Sequence, residues 1–287
     1  MKIKNNKEIA ILMATYNGGK YLREQIDSLI NQTFTDWMLY IQDDGSKDDT
    51  LEIIRSYSDP RIICVDVGLT RQGSGMNFMT LLNMVESDYY MFCDQDDVWF
   101  KDKIEKSYSR MKEEEQQHSS NTPIIVHTSR TFTDADLNVT LESEFNPNRR
   151  SDEVVKKKIN ALKHPTILAI YTIVGGGCTM MLNHQVKKLV FPYIHVRIHD
   201  SFCAIAVANA GGIISSIMEP TMYYRLHGNN TCGVDKSSLF KKILYLSDSY
   251  KRNIRGYYMW KIYNTGGGGI IKFMYYRIKY FLLLRLY

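Results

Sequence analysis

Three carboxylates at the end of an apolar run give the first indication of chemistry. The run Tyr89-Tyr90-Met91-Phe92-Cys93 predicts a short buried strand, and Asp94, Asp96 and Asp97 follow it directly. Carboxylates beside a buried strand need a positive partner, and their oxygens suit a hard divalent cation. The alternative is a solvated acidic turn in which Asp97 or Asp102 caps the next helix.

Two further polar clusters follow apolar runs earlier in the chain. Residues 9–14 predict a strand that is buried on both faces and ends at Thr15-Tyr16-Asn17, and residues 37–41 predict one that ends at Asp43-Asp44. Helical patterns between the strands predict βαβ units, and therefore a parallel sheet with helices on both faces. Ligands bind such sheets beyond the carboxyl ends of the strands, so the three clusters are expected at one edge.

The second half of the chain has a less regular pattern. We predict a polar loop at 113–121, a basic helix at 154–162, a strand at 178–182, a helix that opens at His199-Asp200, and two short strands at 213–217 and 221–224. The glycines at 175–177 predict close approach of the backbone where the first of these strands begins.

Several classes of nucleotide-binding protein are excluded because the sequence lacks their motifs. The turn after the first strand lacks G-x-G-x-x-G, and no P-loop sequence occurs. The first loop is also not rich in glycine and arginine, as a nucleotidyltransferase making sugar nucleotides requires. What remains is a site that binds a nucleotide diphosphate through a metal held by carboxylates.

An ordered set of motifs resembles the family 2 glycosyltransferases of the GT-A fold. The motifs are Ala14-Thr15-Tyr16-Asn17, Asp43-Asp44-Gly45-Ser46 with Asp48 and Thr50 after it, and Asp94-Gln95-Asp96-Asp97-Val98-Trp99. Later motifs resemble the bacterial rhamnosyltransferase-like branch, namely Gly177-Cys178-Thr179-Met180, His199-Asp200 and Tyr224-Arg225-x-His227-Gly228-x-Asn230. The resemblance covers roughly residues 8–117 and 175–233. It implies an α/β, Rossmann-like GT-A fold with a mostly parallel central sheet flanked by helices.

The resemblance also implies roles for single residues. Substrate would be bound by Thr15, Tyr16, Asn17, Asp44, Asn77, Asp94, Gly177, Cys178 and Thr179. Within this set, Asp44 would accept a hydrogen bond from a pyrimidine N–H, and the last three would shape the acceptor site. Asp96 and His227 would hold Mn²⁺ or Mg²⁺, and a nitrogen ligand favours Mn²⁺. Without its context His227 could equally be a surface histidine in a turn.

Asp200 is the expected general base. An inverting transfer is a single displacement, so one carboxylate suffices to take the proton of the acceptor hydroxyl. Capping of the following helix is the simpler role for Asp200. The implied function is transfer of L-rhamnose from dTDP-rhamnose to a lipid-linked bacterial surface polysaccharide. The alternative is a non-catalytic scaffold that binds sugar nucleotides within a membrane-associated assembly complex.

Charge divides the chain into a body and an extension. Residues 236–287 hold eleven Lys or Arg and one acid, a net charge of +10, so the total of +5 leaves −5 on residues 1–235. We predict a GT-A domain at 1–235, with a nucleotide-sugar half (1–117) and an acceptor half (118–235), followed by a basic, aromatic-rich helical extension. The extension is expected to bind an anionic membrane surface. Its alternatives are a hairpin packed on the body or a homodimer contact.

Two expectations concern location and partners. The five cysteines form no C-x-x-C pair, which favours a reducing compartment, and no signal peptide or transmembrane helix is expected. We therefore expect a cytoplasmic protein that is peripheral at the inner face of the cell membrane. Because the body is acidic, nucleic acid is not an expected partner.

Overall fold

The computed structural model describes residues 2–68, 70–142, 176–192, 199–228 and 274–275. The basic helix expected at 154–162 and nearly all of the extension at 236–287 lie outside the described residues.

The described elements alternate strand and helix through the first half of the chain. The strands are β1 (Ile3–Lys4), β2 (Ile9–Thr15), β3 (Trp37–Asp43), β4 (Ile62–Cys64), β5 (Val85–Glu86), β6 (Tyr89–Cys93), β7 (Val98–Trp99), β8 (Ile124–Thr133), β9 (Val139–Leu141), β10 (Met180–Asn183) and β11 (Ile213–Arg225). The helices are α1 (Gly19–Ile30), α2 (Thr50–Arg55), α3 (Ser74–Met84), α4 (Lys103–Gln117), α5 (His184–Val190) and α6 (His199–Asn209), with a 3-10 turn at Gly177–Thr179.

One nine-stranded sheet organises these elements. Eight strands follow the order β4-β3-β2-β6-β10-β8-β11-β7, and β9 pairs with β8. The first four are parallel, whereas β10 is antiparallel to both β6 and β8, and β11 runs parallel to β8. The α/β fold with a central sheet and flanking helices is confirmed. Parallel pairing dominates the nucleotide half, and the second half is mixed.

Strand β2 lies at the centre of the core, with all seven residues buried. Its side chains alternate between two apolar clusters. Ile9, Ile11 and Met13 pack with residues of α1, α2 and α4. Ala10 and Leu12 pack with residues of α3, α5 and α6. Both faces are therefore covered, which explains why the sequence of β2 is continuously apolar.

Three local predictions are wrong. Residues 113–117 belong to α4 and not to a loop, because partners fix their carboxylates: Glu114 accepts from the Ser215 hydroxyl at 2.6 Å, and Glu115 accepts from the Tyr89 hydroxyl at 2.7 Å. Residues 213–225 form one strand with register shifts at Pro220, since proline cannot donate to a strand ladder. Residues 177–179 form a 3-10 turn, and the strand begins only at Met180.

Candidate active site

The three polar clusters meet at one edge of the sheet. Thr15 lies opposite Asp43 in the β2–β3 pair, and Met13 lies opposite Cys93 in the β2–β6 pair. Parallel strands in this register bring Asp94, one residue beyond β6, to the edge where β2 and β3 end. The Thr15 hydroxyl donates to Asp43 at 2.9 Å and ties the first two clusters together.

The loop after β2 is held by side chains from its neighbours. Asn17 has a left-handed backbone with φ of 47°. Its N–H donates to the Ser46 hydroxyl at 2.8 Å. The Gln95 amide pairs with the backbone of Tyr16 in both directions, at 2.9 and 3.1 Å. The Tyr16 side chain is thereby left 51% exposed at the edge of the site, where a flat ligand can stack on it. Gln95 stands in the motif around Asp94, but nothing in its sequence context marks it for this role.

The N-terminus of α1 is closed to a phosphate by its own neighbours. The Gly18 N–H donates to the Thr50 hydroxyl at 2.8 Å, and the Gly19 N–H donates to the Asp48 carboxylate at 3.0 Å. Free amides at this position hold the diphosphate in dinucleotide-binding folds. Their occupation by side chains agrees with the exclusion of that class from the motifs.

Asp44 holds the loop between β4 and α3. Its two carboxylate oxygens accept from the N–H groups of Gln72 and Gly73, each at 2.8 Å, and its carbonyl accepts from the N–H of Arg71 at 3.1 Å. Asp44 is 5% exposed. Each carboxylate oxygen of Asp44 can accept a second hydrogen bond, which leaves room for a pyrimidine N–H. The contact of Asp44 with a pyrimidine stays a prediction.

Asn77 lies beneath this loop. It is 1% exposed, and its side-chain oxygen accepts from the Gln42 amide at 3.0 Å. The side-chain nitrogen of Asn77 is a buried donor that has no partner in the described part of the chain. The contact of Asn77 with substrate stays a prediction.

The two expected metal ligands lie side by side. His227 Nε2 is 2.9 Å from Asp96 Oδ2, although 131 residues separate them in the chain. The contact is a hydrogen bond in this structure, and neighbouring ligand atoms around an octahedral ion with bonds of 2.0–2.1 Å are also about 3 Å apart, so the same two side chains could hold a divalent cation. The His227 ring packs against Tyr21, with ring centroids 4.9 Å apart.

Arg225 connects the acidic turn to the rest of the site. It is 2% exposed, its Nε donates to the Asp96 carbonyl at 2.9 Å, and its backbone N–H donates to Asp97 Oδ1 at 3.1 Å. Its two terminal nitrogens donate to the Ala135 carbonyl and to Glu24 Oε2, both at 2.6 Å. The Tyr-Arg-x-His motif therefore supplies a structural arginine two residues before the expected ligand.

Asp94, Asp97 and Cys178 form a tight cluster, with one ligand atom of each within 4.8 Å of the other two. Burial of its carboxyl group raises the pKa of Asp94 to about 7, and the charge of Asp96 adds to the rise. Burial likewise raises the pKa of Asp97 well above its ordinary value. Burial also raises the pKa of the Cys178 thiol, and the negative charge of Asp94 adds to the rise.

Asp200, in the first turn of α6, lies against the 3-10 turn that carries Cys178. Its Oδ2 accepts from the Gly177 N–H at 3.0 Å, and its Oδ1 accepts from the Ser201 N–H at 2.5 Å. A Cβ atom on Gly177 would come within 2.5 Å of His199 Nε2, so glycine is required for this approach. Thr179 is fully buried and donates to the Gly176 carbonyl at 2.8 Å.

Two cations near the carboxylates were not found by sequence analysis. The Arg130 charge opposes the rise in pKa of both Asp94 and Asp97, and its guanidinium lies 4.4 Å from the Tyr224 ring centroid. Lys103 is fully buried, and burial lowers its pKa to about 8. Its ammonium donates to the hydroxyls of Thr221 and Thr128 at 3.2 and 3.3 Å. Neither residue stands in a motif, so no signal in the sequence marked them.

A family model agrees with this geometry. The model described as "Glycosyl transferase family 2" matches residues 10–172, more than half of the chain. The chain belongs to glycosyl transferase family 2. It is therefore a glycosyltransferase by family, as the motifs indicated.

Relatives and solved structures extend this result. The chain is 28% identical over 239 residues to the dTDP-rhamnosyl transferase RfbG of Shigella flexneri, a match that covers 78% of this chain and 75% of RfbG. It is 22% identical over 243 residues to WfaP of Escherichia coli, a UDP-Glc:alpha-D-GlcNAc-diphosphoundecaprenol beta-1,3-glucosyltransferase, with 85% of each chain covered.

Among solved structures, the TarS fragment of S. aureus in complex with UDP-GlcNAc superposes with a TM-score of 0.56 at 17% identity, covering 79% of this chain and 62% of that chain. The mannosyltransferase PcManGT of Pyrobaculum calidifontis, in complex with GDP-Man and Mn²⁺, superposes with a TM-score of 0.54 at 13% identity, covering 96% and 81%. These likenesses establish the fold.

Proposed function

We propose that this family 2 glycosyltransferase transfers L-rhamnose from dTDP-rhamnose to a growing, lipid-linked bacterial surface polysaccharide, with inversion at the anomeric carbon. The observation that carries the proposal is the position of Asp200, which the Gly177 N–H holds at 3.0 Å beside the acidic turn. The negative charge of Asp200 contributes to the raised pKa of Asp94, so the two carboxylates lie within electrostatic range. A non-catalytic scaffold would not need a base held in this position.

The donor side of the site uses the ends of β2, β3 and β6. Tyr16 offers an exposed ring to the nucleobase, and Asp44 retains acceptor capacity for a pyrimidine N–H. Asp96 and His227 would hold Mn²⁺ or Mg²⁺, which would neutralise the charge that develops on the departing nucleoside diphosphate. Similarity to RfbG supports dTDP-rhamnose as the donor.

The proton of the acceptor hydroxyl goes to Asp200. As the acceptor oxygen forms its bond to the anomeric carbon, the bond to the diphosphate oxygen breaks on the opposite face, and one Asp200 oxygen takes the proton. The N–H groups of Gly177 and Ser201 orient the carboxylate through one oxygen each. Oδ1 also accepts from the Ser201 hydroxyl at 3.2 Å, so Oδ2 is the oxygen that keeps an acceptor position for the proton.

A lipid-linked acceptor is supported by the name of one relative and by the positive charge of the C-terminal extension. The name of WfaP includes a diphosphoundecaprenol acceptor, which supports a lipid-linked acceptor here. The +10 charge of residues 236–287 supports attachment to the inner face of the cell membrane. Across the described residues, no helix combines the length and apolarity needed to cross a bilayer.

Paired substitutions test the proposed chemistry. Asp200→Asn keeps the shape and removes the base, so kcat should fall by about 10²–10⁴-fold while metal-dependent binding of the donor is unchanged. Asp96→Asn should instead weaken that binding. Asp102→Asn is the matched control, because Asp102 pairs with Lys106 at 2.7 Å on the surface and should retain parental values.

The measurements are single-turnover transfer and calorimetric binding of dTDP-rhamnose with Mn²⁺. A parallel screen of UDP-glucose and UDP-GlcNAc tests the donor. Near-parental transfer by Asp200→Asn would reject this base, full activity in EDTA would reject the metal, and a clear preference for a UDP-sugar would reject rhamnose.

A further inference from the structure

A second set of metal-binding side chains lies beside the Asp96–His227 pair. The carboxylates of Asp94 and Asp97 and the thiol of Cys178 converge from the end of β6 and from the 3-10 turn, with ligand atoms within 4.8 Å of one another. Asp97 and Cys178 are each 1% exposed. The proposed chemistry uses neither of them as a metal ligand.

The ligand types suit a different ion from the one expected for the diphosphate. A thiolate selects borderline and soft ions over Mg²⁺ and Mn²⁺. Zn²⁺ binds cysteine sulfur and carboxylate oxygen, and sites with three protein ligands leave a fourth position for water. Two carboxylates and one thiol therefore match a thiophilic divalent cation with one open position.

An unsatisfied atom points to a ligand at the same place. Asp97 Oδ1 accepts from the Arg225 N–H, but the buried Oδ2 has no hydrogen-bond partner within the described ranges. A buried polar atom without a partner is costly, and a bound ion can satisfy it. The Cys178 sulfur and an Asp94 carboxylate oxygen lie within 4.8 Å of each other, and a cation bound between them would release the protons that these groups carry.

The surroundings can carry the charge of such a site. Two carboxylates and a thiolate bring three negative charges, which a divalent ion reduces to one. The positive charges of Arg130 and Lys103 act on this cluster and oppose its negative charge. An ion here would therefore leave no large uncompensated charge in the interior.

We propose that Asp94, Asp97 and Cys178 form a second cation site, which takes a thiophilic divalent ion such as Zn²⁺ and excludes the donor when occupied. The exclusion rests on the proposed function, in which Asp94 binds the donor. The site itself depends only on the three side chains.

Cobalt is the probe for the test, since thiolate ligation gives Co²⁺ a charge-transfer absorption in the near ultraviolet. The full chain is stripped with EDTA and titrated with Co²⁺ without nucleotide. The parent should show the band at one ion per chain. Cys178→Ser should abolish it, and Asp97→Asn should weaken the affinity at least tenfold.

Matched variants separate this site from its neighbours. Cys203→Ser changes another buried cysteine and should keep the band, and Asp96→Asn should keep it because Asp96 belongs to the other pair. Absence of the band in the parent, or its persistence in Cys178→Ser, would overturn the proposal. Circular dichroism of each metal-free variant verifies folding, and Cys178→Ala replaces the serine variant if that one unfolds.

A competition experiment keeps this inference apart from the proposed function. Binding of dTDP to the parent is measured with Mn²⁺ and again after addition of Zn²⁺, which should lower the affinity for dTDP at least tenfold. If the cobalt band is present and Zn²⁺ leaves dTDP binding unchanged, the exclusion is wrong. If Mn²⁺-dependent binding of dTDP is itself absent, the proposed function fails while the cobalt band still decides the second site.

Discussion

At the scale of single residues, the site is a concentration of negative charge that buried cations offset. Lys103 illustrates the balance, because it is fully buried with its ammonium directed at two hydroxyls. A buried ammonium is costly unless nearby negative charge compensates it. Asp97 and Cys178 provide such charge when ionised and oppose the fall in the pKa of Lys103.

Lys103→Met should change how stability depends on pH. Burial lowers the pKa of Lys103 from 10.5 to about 8, so between these values the unfolded chain binds the proton and the native chain does not. The free energy of unfolding of the parent, relative to Lys103→Met, should therefore rise with pH from 8 to 10.5, by up to about 3 kcal/mol.

Urea denaturation of parent and variant at about pH 7 and pH 10 measures this difference. Lys106→Met is the control, since ion pairs with Asp102 and Glu219 outweigh partial burial and raise the pKa of Lys106 above 10.5, so its contribution to stability should stay nearly constant between these two pH values. A relative stability that is constant over this range would show that Lys103 is not desolvated as described.

At the scale of elements, β11 assembles the site from distant parts of the chain. Its last residue, Arg225, joins α1 through Glu24, the acidic turn through Asp96, and the loop after β8 through Ala135. His227, two residues later, then lies against Asp96. The position of His227 thus depends on the end of one long strand.

Arg225→Met should weaken both the fold and the metal site. It removes three charge-assisted hydrogen bonds from a buried side chain, so the free energy of unfolding should fall by at least about 2 kcal/mol. The Asp96 carbonyl also loses its donor, and the Kd for Mn²⁺ in the presence of dTDP should rise about 10–100-fold.

Arg61→Met is the matched control. Arg61 pairs with Asp59 at 2.6 Å and lies 4.1 Å from the Trp37 ring, but it is partly exposed and stands before the amino end of β4, opposite to the carboxyl ends where the site lies. Its loss should cost about 1 kcal/mol or less and leave Mn²⁺ affinity unchanged. Denaturation and calorimetry measure both quantities. Equal effects of the two variants would contradict an organising role for Arg225.

At the scale of the whole molecule, an acidic body is joined to a basic extension. Residues 236–287 carry +10 and the remainder carries −5. Basic residues near an anionic leaflet contribute about 1 kcal/mol each, which is ample for peripheral attachment. An active site in the body and a membrane contact in the extension would bring the enzyme to a lipid-linked acceptor.

Deletion of residues 270–287 tests this arrangement. The truncated chain loses four of the eleven basic residues, so it should bind anionic vesicles more weakly in a sedimentation assay and still glycosylate a water-soluble acceptor analogue. Uncharged phosphatidylcholine vesicles serve as the control and should bind neither form. If the truncated chain unfolds instead, the extension is part of the folded body, and if its vesicle binding equals that of the full chain, residues 270–287 do not contribute to the contact.

The sequence by itself determined the fold class, the family and the edge at which the site lies. These follow from local patterns, because an uninterrupted apolar run such as β2 must be buried on both faces and its polar successor must emerge at the strand end. Three apolar runs, each followed by polar residues, occur in this order along the chain. Their parallel arrangement then places Thr15, Asp43 and Asp94 at the same edge of the sheet. Expected site residues such as Asp96, His227 and Asp200 also lie at this edge or beside it.

Only the tertiary structure decided which of these residues touch. The 2.9 Å contact of Asp96 with His227, the buried Lys103 and the cluster of Asp94, Asp97 and Cys178 each depend on contacts between distant parts of the chain. Lys103 resembles any other charged residue of an amphipathic helix until β11 covers it. Burial, and with it the charge state of each carboxylate, is a property of the packed elements and has no signature in local sequence.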